Sequence, residues 1–166
     1  LLTKLFLAEI FNLRRKMSLY RLLYSSQAIE TLQPQDLKDI LMSSEKNNPG
    51  KGVTGLLCYD RPAFLQILEG DRQQVNALYH HIMTDNRHHS PRIIECVPIK
   101  QRIFATWSMQ AIALDNLSQE QINSLVLKYS GATKLDPDSM EPEQCLNFLI
   151  DIAKIYQLSD NFFVDL

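Results

Sequence analysis

The sequence predicts an α+β fold, one sheet laid down in the order β-α-β-β-α-β-β with two helices on one face and C-terminal helices on the other. Three observations carry this. Short segments whose apolar residues alternate with period two are interrupted by two segments with helical spacing, so strands and helices interleave. Runs such as Ile93, Ile94, Val97 and Ile99 are apolar on both faces, so both sides of the sheet need cover. After residue 115 the strand signals stop and helical ones follow, which supplies the second cover.

The first strand is residues 18–27, with Tyr20, Leu22 and Tyr24 on one face and Arg21, Leu23 and Ser25 on the other. Pro34, a favoured first helical residue, opens a helix with Leu37, Ile40, Leu41 and Ser44 on one side, and Asn47, Asn48, Pro49 and Gly50 end it. Residues 53–59 and 63–69 are apolar runs parted by Asp60, Arg61 and Pro62, which reads as two antiparallel strands and a short turn. Gly70 and Asp71 open a second helix with Val75, Leu78, Ile82 and Met83 on its apolar face, stopping near Asp85 and Asn86. Residues 93–99 and 106–114 complete the sheet, placing Trp107 and Met109 on one strand face. The order is that of a split βαβ, ferredoxin-like sheet with one added strand. Ser118 with Gln121 is a capping-box signature, and its helix runs through Ile122, Leu125 and Val126 to about Tyr129, with Gly131 as its stop. Pro142 opens the last helix, striped by Leu146, Leu149, Ile150, Ala153 and Tyr156.

At 166 residues, 45% hydrophobic and 22% charged, the chain suits one compact unit with a real core. Net charge is -2, and only Arg14, Arg15 and Lys16 cluster, so the positive stripe needed for nucleic acid is missing. Cys58, Cys96 and Cys145 lack the spacing of a zinc site or a disulfide framework, which fits a reducing cytoplasm. The apolar run from Leu5 to Ala8 is far short of the roughly 20 residues a bilayer span needs. Its main charge cluster follows the run rather than preceding it, unlike a secretory signal. Leu2, Leu5, Phe6, Ile10 and Leu13 fall at helical spacing and could form a short amphipathic helix, but the favoured reading takes Met17 as the natural start. The expected division is therefore an extension over 1–16, a main domain over 17–115 and a helical extension over 116–166.

Metal chemistry finds little support. His80, His81, His88 and His89 form two adjacent pairs, and neighbouring histidines on a helix point about 100° apart rather than towards one ion. Cys58 and Cys96 lie inside apolar strands, where thiols act as small core groups. A glycine-rich phosphate loop is also absent. What stands out is Gln66, an amide inside an apolar strand beside Phe64 and Leu68, because a buried amide left unpaired costs about 1–3 kcal/mol. By default Gln66 would bond a neighbour or a buried water. By default, too, Tyr24 would be core, Asn47 and Asn48 a helix stop, and Trp107 and Met109 packing.

Together these residues resemble the BLUF family of blue-light sensors that use FAD, most closely the short cyanobacterial members of the PixD type. The match lies in Tyr20-Arg21-Leu22-Leu23-Tyr24-Ser25-Ser26, in Asn47-Asn48 followed by Val53-Thr54-Gly55-Leu56-Leu57, and in Phe64-Leu65-Gln66-Ile67-Leu68-Glu69-Gly70. Arg87-His88-His89-Ser90 and Trp107-Ser108-Met109 add to it, and Lys128-Tyr129-Ser130 and Asp160-Asn161-Phe162-Phe163 extend it towards the C-terminus. The resemblance implies that non-covalent FAD stands between the two helices, with Tyr24, Gln66, Met109 and Trp107 as the photoactive set. It implies that Ile40 and Ile82 contact the ring faces, that Asn48 binds the ring edge with Asn47 and Ser44 near, and that Asp85, Arg87 and His88 lie on the far side. Similar proteins carry a basic residue where His81 stands, so a weaker hold on the FAD diphosphate, with FMN and riboflavin accepted equally, is the expectation.

The family implies no enzymatic turnover: light moves an electron and then a proton from Tyr24 through Gln66, and the amide comes back rearranged. One hydrogen bond is worth about 0.5–1.5 kcal/mol, roughly tenfold at most in an equilibrium, against about 5.5 kcal/mol for a full switch. A ring-like homo-oligomer that releases a response-regulator-like partner is the implied remedy, with Trp107 and Met109 passing the change to the helices after Ser118. No nucleic acid or membrane is expected as a partner. A ferredoxin-like enzyme of the acylphosphatase kind is the rival, but residues 25–33 offer neither the Arg nor the glycine its anion cradle needs.

Overall fold

The computed structural model describes residues 18–47, 52–107 and 109–163. Among them is a five-stranded sheet formed by β1 (Leu19–Ala28), β2 (Thr54–Asp60), β3 (Ala63–Asp71), β4 (His88–Pro98) and β5 (Gln110–Ala113), in spatial order β4-β1-β3-β2-β5. Helix α1 (Pro34–Asn47) joins β1 to β2, and α2 (Arg72–Ile82) joins β3 to β4. β3 is central and antiparallel to both β1 and β2, β1 is antiparallel to β4, and β2 is parallel to β5. The ferredoxin-like arrangement with one added strand is therefore present. It follows from two crossovers that each return parallel to the strand they left, with a third strand between.

Alternation decides what each face holds. On one face Leu22, Tyr24, Leu68 and Met109 pack under α2 with Val75, while Leu57, Phe64 and Ala113 pack with Leu37 and Ile40 of α1. On the other face Leu23, Leu56, Leu65 and Ile67 pack against α3 (Gln119–Ser130) and α4 (Pro142–Phe163) through Ile122, Val126, Phe148 and Ile152. The expected cover of the second face is thus supplied by the C-terminal helices. Ser118 caps α3 by accepting from the Gln121 N–H at 3.3 Å, and Gly131 ends it at φ 65°.

Four expectations change. β4 begins at His88, not Ile93, because an edge strand needs only backbone partners on β1 and so recruits the polar residues 88–92. As that edge, β4 leaves Ile93 51% exposed, and Cys96 is exposed rather than core. The last strand shrinks to Gln110–Ala113: Ile103 and Phe104 bond the Glu69 side chain, and Trp107 makes an isolated backbone bond to Gly55 rather than joining a ladder. Trp107 and Met109 therefore precede the strand and pack on opposite faces, Trp107 with the C-terminal helices and Met109 with Tyr24 and Leu68. Among the described residues no helix is long and apolar enough to cross a membrane.

Candidate functional site

Between α1, α2 and the sheet lies a cavity of about 550 Å³, within the range of sites that hold small molecules and cofactors. Its sheet-side wall is made by alternate residues of three strands: Tyr24 and Ser26 of β1, Phe64 and Gln66 of β3, and Leu57 of β2. Tyr24 stands opposite Gln66, and Gln66 opposite Leu57, in the strand register, so pairing alone brings them together. Helix α1 contributes Ile40 and Ser43, and α2 contributes Leu78, His81 and Ile82. Thr84, Asp85, Arg87 and His88 close the far side.

At the sheet side the Tyr24 hydroxyl donates to Gln66 Oε1, and Gln66 Nε2 donates to the Met109 sulfur at 3.3 Å. An amide has two N–H groups and two acceptor lone pairs, so one of each stays available to a molecule in the cavity. Tyr24, Gln66 and Met109 are all buried, and burial pushes the Tyr24 phenol far above its usual range, with Tyr79 and Asp85 adding to the rise. Tyr79 sets its ring edge-on to Tyr24, with centroids 5.2 Å apart.

Across the cavity Arg87 donates to both Asp85 oxygens, through Nε at 2.9 and 3.1 Å and Nη2 at 2.5 Å, while the Arg87 N–H bonds Asp85 Oδ1 at 2.9 Å. The guanidinium holds the Asp85 carboxyl below the usual aspartate range. His88 donates from Nε2 to the Ile82 carbonyl at 2.9 Å, which leaves its buried Nδ1 without a partner among the described residues. His80 bonds the Asn76 carbonyl and His89 bonds Ser90, so the four histidines do not converge. No cluster able to hold a metal occurs among the described residues.

Of the residues expected at the site, Tyr24, Gln66, Ile40, Ile82, Asp85, Arg87, His88 and His81 line one cavity, with Met109 directly behind Gln66. Trp107 does not join them. Its ring stacks on Phe104 at 5.8 Å and meets Tyr156 of α4 at 6.4 Å on the opposite face. Asn48 and the side chains of Ser44 and Asn47 lie outside the described residues. Ser26, Ser43, Leu57, Phe64, Leu78 and Thr84 lie outside the expected set, although Ser26 and Phe64 share the strand face of Tyr24 and Gln66 two residues away, a signal period-two alternation offers. The set suits a flat heteroaromatic group with polar edges. Apolar surfaces from Ile40, Leu57, Phe64, Leu78 and Ile82 can cover a ring, while the spare Gln66 amide groups and the orphaned His88 nitrogen await polar partners.

Comparison with known proteins agrees. Residues 19–110 match the family described as BLUF, sensors of blue-light using FAD. The photoactivated adenylate cyclase subunit beta of Euglena longa is 29% identical over 119 residues, 72% of this chain but 13% of that protein, so the chain spans a small part of such relatives. The solved photo-activated state of BlsA is 30% identical with a TM-score of 0.70, covering 80% of this chain and 93% of that one. Klebsiella pneumoniae BlrP1, solved with FMN and cyclic diGMP, is 26% identical with a TM-score of 0.57, over 61% of this chain and 27% of that one. With the family model matched over residues 19–110, more than half of the chain and all of β1 to β4, the chain belongs to the BLUF family of FAD-using blue-light sensors.

Proposed function

We propose that this chain is a light switch of the short PixD type in which Tyr24 and Gln66 do the photochemistry. The observation that carries the reading is the hydrogen-bond chain from Tyr24 through Gln66 to Met109, buried and bordering the cavity. Bound FAD supplies the blue-light absorption and a strong transient oxidant. Tyr24 is suited to give up an electron, because its ring is oxidisable, and to pass its hydroxyl proton along the bond it already makes to Gln66. Gln66 is suited to relay that proton and return reversed, since an amide is donor and acceptor at once. In the reversed state its N–H would be free to donate to a carbonyl of the bound ring, and its contact with the Met109 sulfur would be lost.

By resemblance, Ile40 and Ile82 would hold the ring faces, Asn48 with Asn47 and Ser44 its polar edge, and Asp85, Arg87 and His88 its far side. Where similar proteins carry a basic residue this chain has His81, so a diphosphate would be less firmly held and FMN and riboflavin would bind nearly as well as FAD. The domain spans 17–115, and 116–166 is its output extension. Output passes through a response-regulator-like cytoplasmic partner and a homo-oligomer, without net chemistry on a substrate. The resemblance to PixD-type chains and the energetics of a single hydrogen bond support this.

The test is an absorption spectrum before and after blue light, with dark recovery, for the wild type and for Tyr24→Phe and Gln66→Leu. A reversible red shift in the wild type, lost in both variants while flavin is retained, is the expected result. A shift that survives in either variant removes the proposed pair.

A further inference from the structure

Glu69 is fully buried and faces away from the cavity, three residues along β3 from Gln66. A carboxyl in such a place needs a reason, because burying it without partners is costly. Its Oε2 accepts two backbone N–H bonds, from Ile103 at 2.8 Å and Phe104 at 2.9 Å, and its Oε1 has no partner among the described residues. The bonds end on the segment that lacks a sheet ladder of its own. Arg102, in the same segment, donates to the Glu69 carbonyl at 2.9 Å, to Thr54 Oγ1 at 3.0 Å and to the Gly52 carbonyl at 2.6 Å. Further on, the Trp107 N–H donates to the Phe104 carbonyl, and the Trp107 carbonyl accepts from the Gly55 N–H at 3.1 Å.

Residues 102–107 are thus pinned to β2 and β3 just before Met109, whose sulfur meets Gln66. We infer that Glu69, assisted by Arg102, is a positioning residue that holds residues 102–107 where the Met109 sulfur meets Gln66 and the Trp107 ring packs against α4. The required property is an acceptor oxygen at Oε2. A carbonyl oxygen at that point serves as well as a carboxylate. Nothing in this role touches the flavin, and it rests on the photochemical reading of Tyr24 and Gln66.

The experiment compares the wild type, Glu69→Leu and Glu69→Gln as flavin-loaded full chains. It reads amide exchange at Ile103 and Phe104, emission of Trp107, the sole tryptophan, and the lifetime of the red-shifted state. Glu69→Leu is expected to speed exchange at both amides by about tenfold or more, since each loses its buried acceptor. It should also move the Trp107 emission and lengthen the lifetime several-fold, because the Gln66–Met109 contact that favours return is loosened. Glu69→Gln, which keeps the acceptor, is expected to restore all three towards wild type. Wild-type values in Glu69→Leu, or a Glu69→Gln as impaired as Glu69→Leu, would overturn the inference. If Glu69→Leu does not fold, Arg102→Met decides: the same three changes support the clamp and unchanged values overturn it. A wild type without a red shift would instead sink the photochemical reading itself.

Discussion

Burial keeps the Tyr24 phenol protonated wherever the fold survives, so in the dark it serves Gln66 as a donor. Removing that hydroxyl leaves a buried acceptor on Gln66 unpaired, and Tyr24→Phe should cost about 1–3 kcal/mol in a urea titration, separately from its effect on light sensing. An unchanged midpoint would show that Gln66 finds another donor. Asp85 acts through charge. Its carboxyl is held below the ordinary value of 3.8, first by the Arg87 hydrogen bonds, so the folded state favours the ionised form. That contribution is complete above the ordinary value and drains away as pH falls through the lower folded one. Asp85→Asn should therefore lower stability at neutral pH and flatten the fall in stability below about pH 4. Urea midpoints across that range that parallel the wild type would refute it. Gln66 was legible in the sequence because an amide interrupts an apolar strand. Glu69 was not, since a carboxylate near a strand end ordinarily reads as solvent-facing, and its partners Ile103 and Phe104 are more than thirty residues away.

Two glycines set element geometry for different reasons. Gly55 sits on β2 where a Cβ would lie 2.0 Å from the Ile67 carbonyl oxygen of β3, so no side chain fits between these strands. Gly131 has open space around it but a φ of 65°, which favours glycine at a helix end. Gly55→Ala should cost at least about 1–3 kcal/mol and disturb the strand that carries Leu57 into the cavity. Gly131→Ala should cost only about 1 kcal/mol and leave light sensing intact. Thermal melts with paired absorption spectra check both, and equal losses would contradict the distinction. Gly131 announced itself as a stop after a periodic helix, whereas Gly55 looked like any strand glycine because its obstacle is another strand's backbone. The same divide runs through the sheet. β1, β2 and β3 were readable from apolar alternation. β4 took in polar residues because backbone pairing at an edge asks little of side chains, and the last strand lost Trp107 and Met109, the one tied by a single backbone bond to Gly55 and the other by its sulfur to Gln66.

From cavity to outer surface the molecule is three layers deep, and a signal starting at Gln66 has a short physical route across it. Met109 touches Gln66 on one face, Trp107 lies two residues earlier on the other, and its ring meets Tyr156 of α4, whose hydroxyl also accepts from Gln110 at 3.3 Å. The proposed reversal of Gln66 would remove one contact of hydrogen-bond strength, about 0.5–1.5 kcal/mol, which would bias a single chain by roughly tenfold at most. A near-complete switch needs about 5.5 kcal/mol, so one chain by itself would respond only partially. Coupling several copies lets small biases add, provided α4 reports the same change in each. The expected result is that the flavin-loaded protein is an oligomer in the dark whose measured mass, or whose complex with a response-regulator-like partner, changes on blue illumination. Light scattering behind a sizing column, run dark and lit, measures this. Trp107→Phe keeps an aromatic ring but loses the indole's reach to Tyr156, and should preserve the red shift while reducing the mass change. A strictly monomeric protein with a complete light response would show that one hydrogen bond suffices. A full mass change in Trp107→Phe would show that the signal leaves the sheet by another path.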